Sequence, residues 1–321
     1  MQLITLDQIK PALEDKHAVL EAVRQGFIQH SQGKISLPEP VQVLFGVTDN
    51  SIAGDCHIKT ASSEALPYFC IKVATGFYDN PAKGLPVNNG LVMLMSSETG
   101  MPIALFQDKG YLTSARTAAA GALAATLMHD NTACSLGIVG TGHQAELQAL
   151  WISDTSPISK VVIWGRSHEK AETLKARLEA QGLRAETASS ISALCAQSRI
   201  IVTTTPSTSP LLFSADIKPG HHIIAMGSDS PGKQEVDPEI LGRADAVITD
   251  DHTQCLHHGE FGHAVKAGFV EDNEDISLGT ALENSAILGA KKDTISLIDL
   301  TGLGAQDLAI ASIVYNKVHR V

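Results

Sequence analysis

The chain is poor in cysteine, short of basic charge and without any long apolar run, and each shortage removes a class of answers. Its five cysteines, Cys56, Cys70, Cys134, Cys195 and Cys255, are odd in number, far apart and never in CxxC spacing. That pattern speaks against a disulfide framework and a cysteine-built zinc site, and for reduced, buried thiols in a cytoplasmic protein. Lys and Arg number 24 against 35 Asp and Glu, a formal net charge of −11. The overall field therefore repels a polyanion, and nucleic acid is not an expected partner, although a local basic pocket for a small anion is still allowed. The N-terminal "MQLITLDQIKPALEDKHAVLEAVRQGF" carries charges throughout, which argues against a signal peptide and a membrane span. Internal repeats, low-complexity tracts and long linkers are missing too.

What remains is a chain of 321 residues with 44% hydrophobic content, enough to bury a large core in one large domain or two ordinary ones. Residues 11–30 place Leu13, Val19, Leu20, Val23 and Phe27 at helical spacing. The stretches "SLPEPVQVLFG", "AGDCHIKTA", "YFCIKVATGF" and "GLVMLMSSETGMPIALFQD" then read as β-strands and hairpins, with "SETG" as a turn. From about Thr113 the texture changes: "TSARTAAAGALAATLM" reads as an Ala-rich helix, and strands alternate with helices to about residue 300. Strands are expected at 135–139, 161–165, 199–204, 222–227, 246–250 and 295–300, several as continuous apolar runs suited to parallel strands covered on both faces. A final helix in "GAQDLAIASIVYNKV" is expected to return to the first domain.

This pattern gives "LGIVGTGHQAELQ" a context that a bare glycine motif lacks. A strand precedes Gly140, Gly142 and Ala145, and a helix follows. Gly140 permits the tight turn, Gly142 lets a pyrophosphate approach the backbone, and Ala145 lets helix and sheet pack closely. At the tip of the next strand "WGRSHEK" offers Arg166, Ser167, His168 and Lys170 where NAD sites commonly carry an acid. NADPH is therefore the expected cofactor, with NADH use left open.

The segments "FCIKVATGFYDNPAKGLP", "GYLTSARTAAAGALAA", "GIVGTGHQAELQ", "VIWGRS", "MGSDSPGKQEVDPEIL" and "HHGEFGHAVKAG" follow in order from about residue 70 to 265. Together they resemble the ornithine cyclodeaminase/mu-crystallin family, most closely its Δ1-pyrroline-2-carboxylate (ketimine) reductase members. The resemblance implies a homodimer with an α/β fold: a Rossmann-type doubly wound parallel sheet at 115–301, and a split α+β dimerisation and substrate domain at 1–114 and 302–321. It also implies NAD(P)-dependent oxidoreductase chemistry on C=N or CH–NH bonds.

Lys72 lies in an apolar strand, an expensive place for an ammonium unless a carboxylate meets it, as a structural salt bridge or as a ligand. Arg116 is read at the start of a helix, where the dipole disfavours a cation, so it serves an anion. By resemblance both hold the substrate carboxylate. Asp229 follows "HIIAMG" at the carboxyl edge of the sheet, and by resemblance it is the acid/base carboxylate that stabilises an iminium, with Lys233 orienting it or the substrate; capping of its own turn is the alternative. The cofactor positions are Gly140, Thr141, Gly142, His143, Gln144, Arg166, Ser167, Thr204, Thr205, Met226, Gly227 and Gly302.

Two departures from the family pattern bear on substrate. Gln42 stands where many members have an arginine, and Lys59 stands where ornithine cyclodeaminases carry a glutamate for the distal amine. A lysine there would repel ornithine. The expected activity is reduction of Δ1-pyrroline-2-carboxylate to L-proline, with the six-membered Δ1-piperideine-2-carboxylate giving L-pipecolate. The alternatives are ornithine cyclodeaminase, an amino-acid dehydrogenase and a mu-crystallin-like binding protein. No metal is expected, since His257, His258 and His263 do not form HExxH.

Overall fold

The computed structural model describes residues 1–47, 53–127, 132–288 and 293–319. The chain divides into two compact units, Met1–Arg116 with Leu303–Val321, and Thr117–Gly302.

The first unit is built on a seven-stranded sheet. Its order is Gln2–Thr5, Pro102–Gln107, Asn88–Ser96, Tyr68–Phe77, Gly54–Ser63 and Ile35–Ser36, with Val41–Phe45 also pairing on Gly54–Ser63. Only the first pair is parallel. The helix expected over residues 11–30 is two helices, Leu6–Ala12 and Lys16–Ser31. The reason is local: Asp15 accepts a hydrogen bond from the Ala18 N–H at 3.1 Å and so starts a new helix as its cap. The C-terminal helix Gly304–His319 packs on Lys16–Ser31 and on the strands Gly54–Ser63 and Tyr68–Phe77. Its first residue has to be small, because an added Cβ at Gly304 would meet the Thr60 carbonyl.

The second unit is a doubly wound, all-parallel sheet of eight strands, as expected for this part of the chain. The order is Ala185–Thr187, Ile158–Trp164, Cys134–Val139, Ile200–Thr203, His222–Ala225, Ser296–Asp299, Ala246–Thr249 and Asp275–Ser277. The six strands read from the apolar runs are all here, and the four-residue ones at 200–203, 222–225, 246–249 and 296–299 are buried throughout. Strand order reverses between Cys134–Val139 and Ile200–Thr203, and the carboxyl ends of strands at such a switch point form the crevice where open α/β sheets take ligands. The Ala-rich helix runs Tyr111–Leu127, and Met128, its last expected residue, lies outside the described residues.

Among the described residues, no helix is long and apolar enough to cross a membrane. No group of three or more His, Cys, Asp or Glu among them could hold a metal ion.

Candidate functional site

In the first unit, antiparallel pairing puts Lys59 directly opposite Lys72. Cross-strand partners share a face of the sheet, so two buried lysines, 6% and 2% exposed, stand side by side. The carboxylate that the sequence required for Lys72 is Asp307, from the first turn of the C-terminal helix. Lys72 Nζ lies 2.8 Å from Asp307 Oδ2, and Arg116 Nε lies 3.2 Å from Oδ1. Arg116 Nη1 also donates to Gln306 Oε1 at 2.9 Å. Arg116 is the sixth residue of its helix rather than the first, so the helix end is not what disfavours it; what matters is burial beside Asp307.

Charge state follows from this packing. Burial pushes the Asp307 carboxyl up, but Lys72 and Arg116, with Lys59 behind them, outweigh it and hold the group below its ordinary value. Burial lowers the Lys72 ammonium, and Arg116 adds to that, against the pull of Asp307. Asp108, at the head of the Arg116 helix, accepts the Leu112 N–H at 2.8 Å and is raised by burial, with Asp307 adding to it. Lys72 and Arg116 thus share one internal carboxylate, and a cluster of that sign can take a further anion. Gln42 is the half-buried residue of an otherwise exposed strand and pairs with His57.

In the second unit, Gly140 has φ +132 and an added Cβ there would strike the Thr204 hydroxyl, so the tight turn demands glycine. Gly142 is different. An added Cβ there meets no protein atom, and as the N-cap of His143–Thr155 it offers no capping side chain. A helix start without a side-chain cap, preceded by open space, suits a phosphate. Ala145 is fully buried. Thr141 and Gln144 are half-buried and His143 is exposed. At the next strand end Arg166 is exposed, while Ser167 caps the helix His168–Ala180 by accepting from the Lys170 N–H at 3.3 Å, which leaves its hydroxyl proton to donate.

Further along the same edge, Thr204 donates to the Val139 carbonyl at 3.2 Å, and Thr205, Met226 and Gly227 are half-buried. Gly302 is committed inward: its N–H goes to Asp250 at 2.6 Å and its carbonyl accepts from Gln254 at 2.9 Å. Asp229 is half exposed and takes a 2.7 Å ion pair from Lys233. Of the three histidines, His257 is exposed and His263 donates to the Lys233 carbonyl at 2.9 Å.

Sequence reasoning missed Asp307, Gln306, Asp108, Asp250 and Glu235. A lone aspartate in the apolar "GAQDLAIASIV" was a legible signal for the first; Gln306 in the same helix, Glu235 in a three-residue strand, and Asp108 and Asp250 just past strand ends are given meaning only by tertiary partners.

A profile of the ornithine cyclodeaminase/mu-crystallin family matches residues 5–321. An archaeal alanine dehydrogenase, solved as a dimer with NAD bound, superposes with a TM-score of 0.88 at 30% identity, covering 100% of this chain and 96% of that one. The iminosuccinate reductase of Paracoccus denitrificans, solved with NAD⁺, has a TM-score of 0.86 at 29% identity, covering 100% of this chain and 97% of that one. The Δ1-pyrroline-2-carboxylate reductase of Bacillus cereus is 29% identical over 263 residues, 81% of this chain and 80% of that protein.

Proposed function

The chain belongs to the ornithine cyclodeaminase/mu-crystallin family and is an oxidoreductase of the imine- and amino-acid-handling kind; on that premise we propose that it reduces cyclic 2-imino acids with NAD(P)H, Δ1-pyrroline-2-carboxylate to L-proline and its six-membered homologue to L-pipecolate. The observation that carries the reading is the Lys72–Arg116 pair around Asp307. Two buried cations on one carboxylate call for another anion, and the substrate's carboxylate supplies it.

The unit Thr117–Gly302 fits a dinucleotide: Gly140, Thr141, Gly142, His143 and Gln144 would meet the pyrophosphate, and Arg166 with Ser167 would meet a 2′-phosphate, which favours NADPH over NADH. Thr204, Thr205, Met226, Gly227 and Gly302 would line the rest. A bound nicotinamide supplies the hydride. The chain's own part is to hold the carboxylate with Lys72 and Arg116, and to keep the substrate nitrogen protonated. Asp229 gives the imine nitrogen its proton, and the carboxylate so formed stabilises the iminium that accepts hydride, with Lys233 setting the orientation of that carboxylate.

Lys59 separates this reading from cyclodeamination, because a second buried cation opposite Lys72 repels the distal ammonium of ornithine. The same cation favours one second reading. An imine bearing a second carboxylate, like that of the Paracoccus relative, would find Lys59 attractive. The chain is also proposed to act as a homodimer in the cytoplasm. Val41, Val43, Leu44 and Phe45 are 57%, 43%, 41% and 40% exposed on one strand, an apolar surface that a second copy would cover, and sedimentation reads it.

The test is nucleotide absorbance with Δ1-pyrroline-2-carboxylate, iminosuccinate and ornithine, with product analysis beside it. Oxidation of NADPH or NADH by the cyclic imine supports the reading. Proline from ornithine with no net nucleotide change would replace it with cyclodeamination.

A further inference from the structure

Glu235 has no part in the roles given above, yet its carboxyl is fully buried and takes three donors. The Thr205 N–H donates to Oε1 at 2.6 Å, the Gly227 N–H to Oε2 at 2.8 Å and the Thr203 hydroxyl to Oε2 at 2.6 Å. Thr203 ends the strand Ile200–Thr203, and Gly227 lies just past its neighbour His222–Ala225. One side chain therefore ties the carboxyl-edge loops of two adjacent parallel strands. The join is tight: an added Cβ at Gly227 would strike both the Thr205 carbonyl and the Glu235 carboxylate. On one side the tie continues through Thr204 to the glycine turn at Gly140, and on the other through Ser228, whose hydroxyl donates to the Lys233 carbonyl at 2.7 Å.

We propose that Glu235 is a positioning residue of the dinucleotide site: its carboxylate fixes the backbone of Thr205 and Gly227 in the arrangement that receives the cofactor, and so sets cofactor affinity. The proposal rests on the reading of Thr117–Gly302 as a dinucleotide unit.

Its charge state decides how well the tie holds. A carboxylate accepts all three bonds. A carboxylic acid turns one oxygen into a donor; the Thr203 hydroxyl can rotate to accept it, but the Gly227 N–H then faces an oxygen carrying a proton. Burial pushes the Glu235 carboxyl up to about 7, against the hydrogen bonds from Thr203 and Thr205. The ionisable groups around it are mostly acids. Glu260 accepts the backbone N–H groups of Glu235 and Val236, Asp299 raises Glu260 further, and the Asp229–Lys233 pair with His263 lies on the loop side. The tie should therefore loosen as pH falls through neutrality.

The experiment measures NADH and NADPH dissociation constants by nucleotide fluorescence for the wild-type chain, Glu235→Gln and Thr203→Val, between about pH 6 and about pH 8.5. Wild type is expected to bind more tightly at the upper end, by roughly fivefold, and Glu235→Gln to bind about tenfold more weakly there with little pH dependence. Thr203→Val, which removes one donor to the carboxylate, is expected to move the midpoint of the wild-type profile to higher pH, and it serves where Glu235→Gln does not fold. A Glu235→Gln affinity and slope equal to wild type, or an unmoved midpoint in Thr203→Val, would overturn the proposal. Failure of wild type to bind either nucleotide would instead overturn the dinucleotide reading beneath it.

Discussion

Lys72 and Asp307 form a 2.8 Å ion pair with both side chains almost wholly buried, joining a central strand to the helix at the far end of the sequence. Removing Asp307 leaves Lys72 and Arg116 without their shared carboxylate in a dry place. Asp307→Ala is therefore expected to cost about 3–5 kcal/mol of stability, read by urea unfolding. A second change, Lys72→Met, should recover part of that loss. Equal stability of Asp307→Ala and wild type would show that the pair contributes nothing.

Asp229 and Lys72 are expected to fail differently. Charge beside the reacting nitrogen matters most in the transition state, so Asp229→Asn should lose mainly kcat, by about 10²- to 10⁴-fold. Lys72→Ala should mainly raise KM, because the carboxylate is held in ground and transition states alike. Steady-state kinetics on the cyclic imine would expose the opposite pattern at once.

Arg166 stands exposed at the strand end where an acid would favour NADH. Arg166→Asp should lower NADPH affinity more than NADH affinity, and fluorescence titration gives the ratio. An unchanged ratio means that the 2′-phosphate is not read here.

Buried acids raised above their ordinary values, Asp299 and Glu235 among them, set a pH slope in stability. Burial pushes Asp299 up to about 8 from its usual 3.8, and Glu235 up to about 7 from 4.5. Their folded values exceed their unfolded ones, so the folded chain binds more protons across the interval between, and their contribution falls as pH rises through about 7 to 8. Denaturant unfolding should show less stability at about pH 8.5 than at about pH 6, and Asp299→Asn should flatten the slope. Cofactor affinity is expected to run the other way, which separates loosening of the site from loosening of the fold.

Much of the architecture was legible because the signals are local. The apolar runs that became Ile200–Thr203 or His222–Ala225, and the Gly140, Gly142, Ala145 spacing, are fixed by neighbours in the chain. The short edge strands Ala185–Thr187 and Asp275–Ser277, and the separate pair Thr208–Leu212 with Gln234–Val236, were not legible, because three to five residues carry too little periodicity. The same holds for the site. Lys72 announced its need for an anion, but Asp307 answers from 235 positions away, and Glu235 gains its meaning from two loops that meet only in the folded sheet.

The central claim is that hydride reaches an imine carbon held by this chain, and isotope transfer tests it most directly. Purified protein, Δ1-pyrroline-2-carboxylate and nicotinamide nucleotide deuterated at C4 on either face would be combined, and the proline analysed by mass spectrometry. The account expects one deuterium at C2 of proline from one face and none from the other, with nucleotide consumed in equal amount. Proline free of deuterium from both faces, or no consumption of nucleotide with the imine while ornithine is converted to proline, would contradict it.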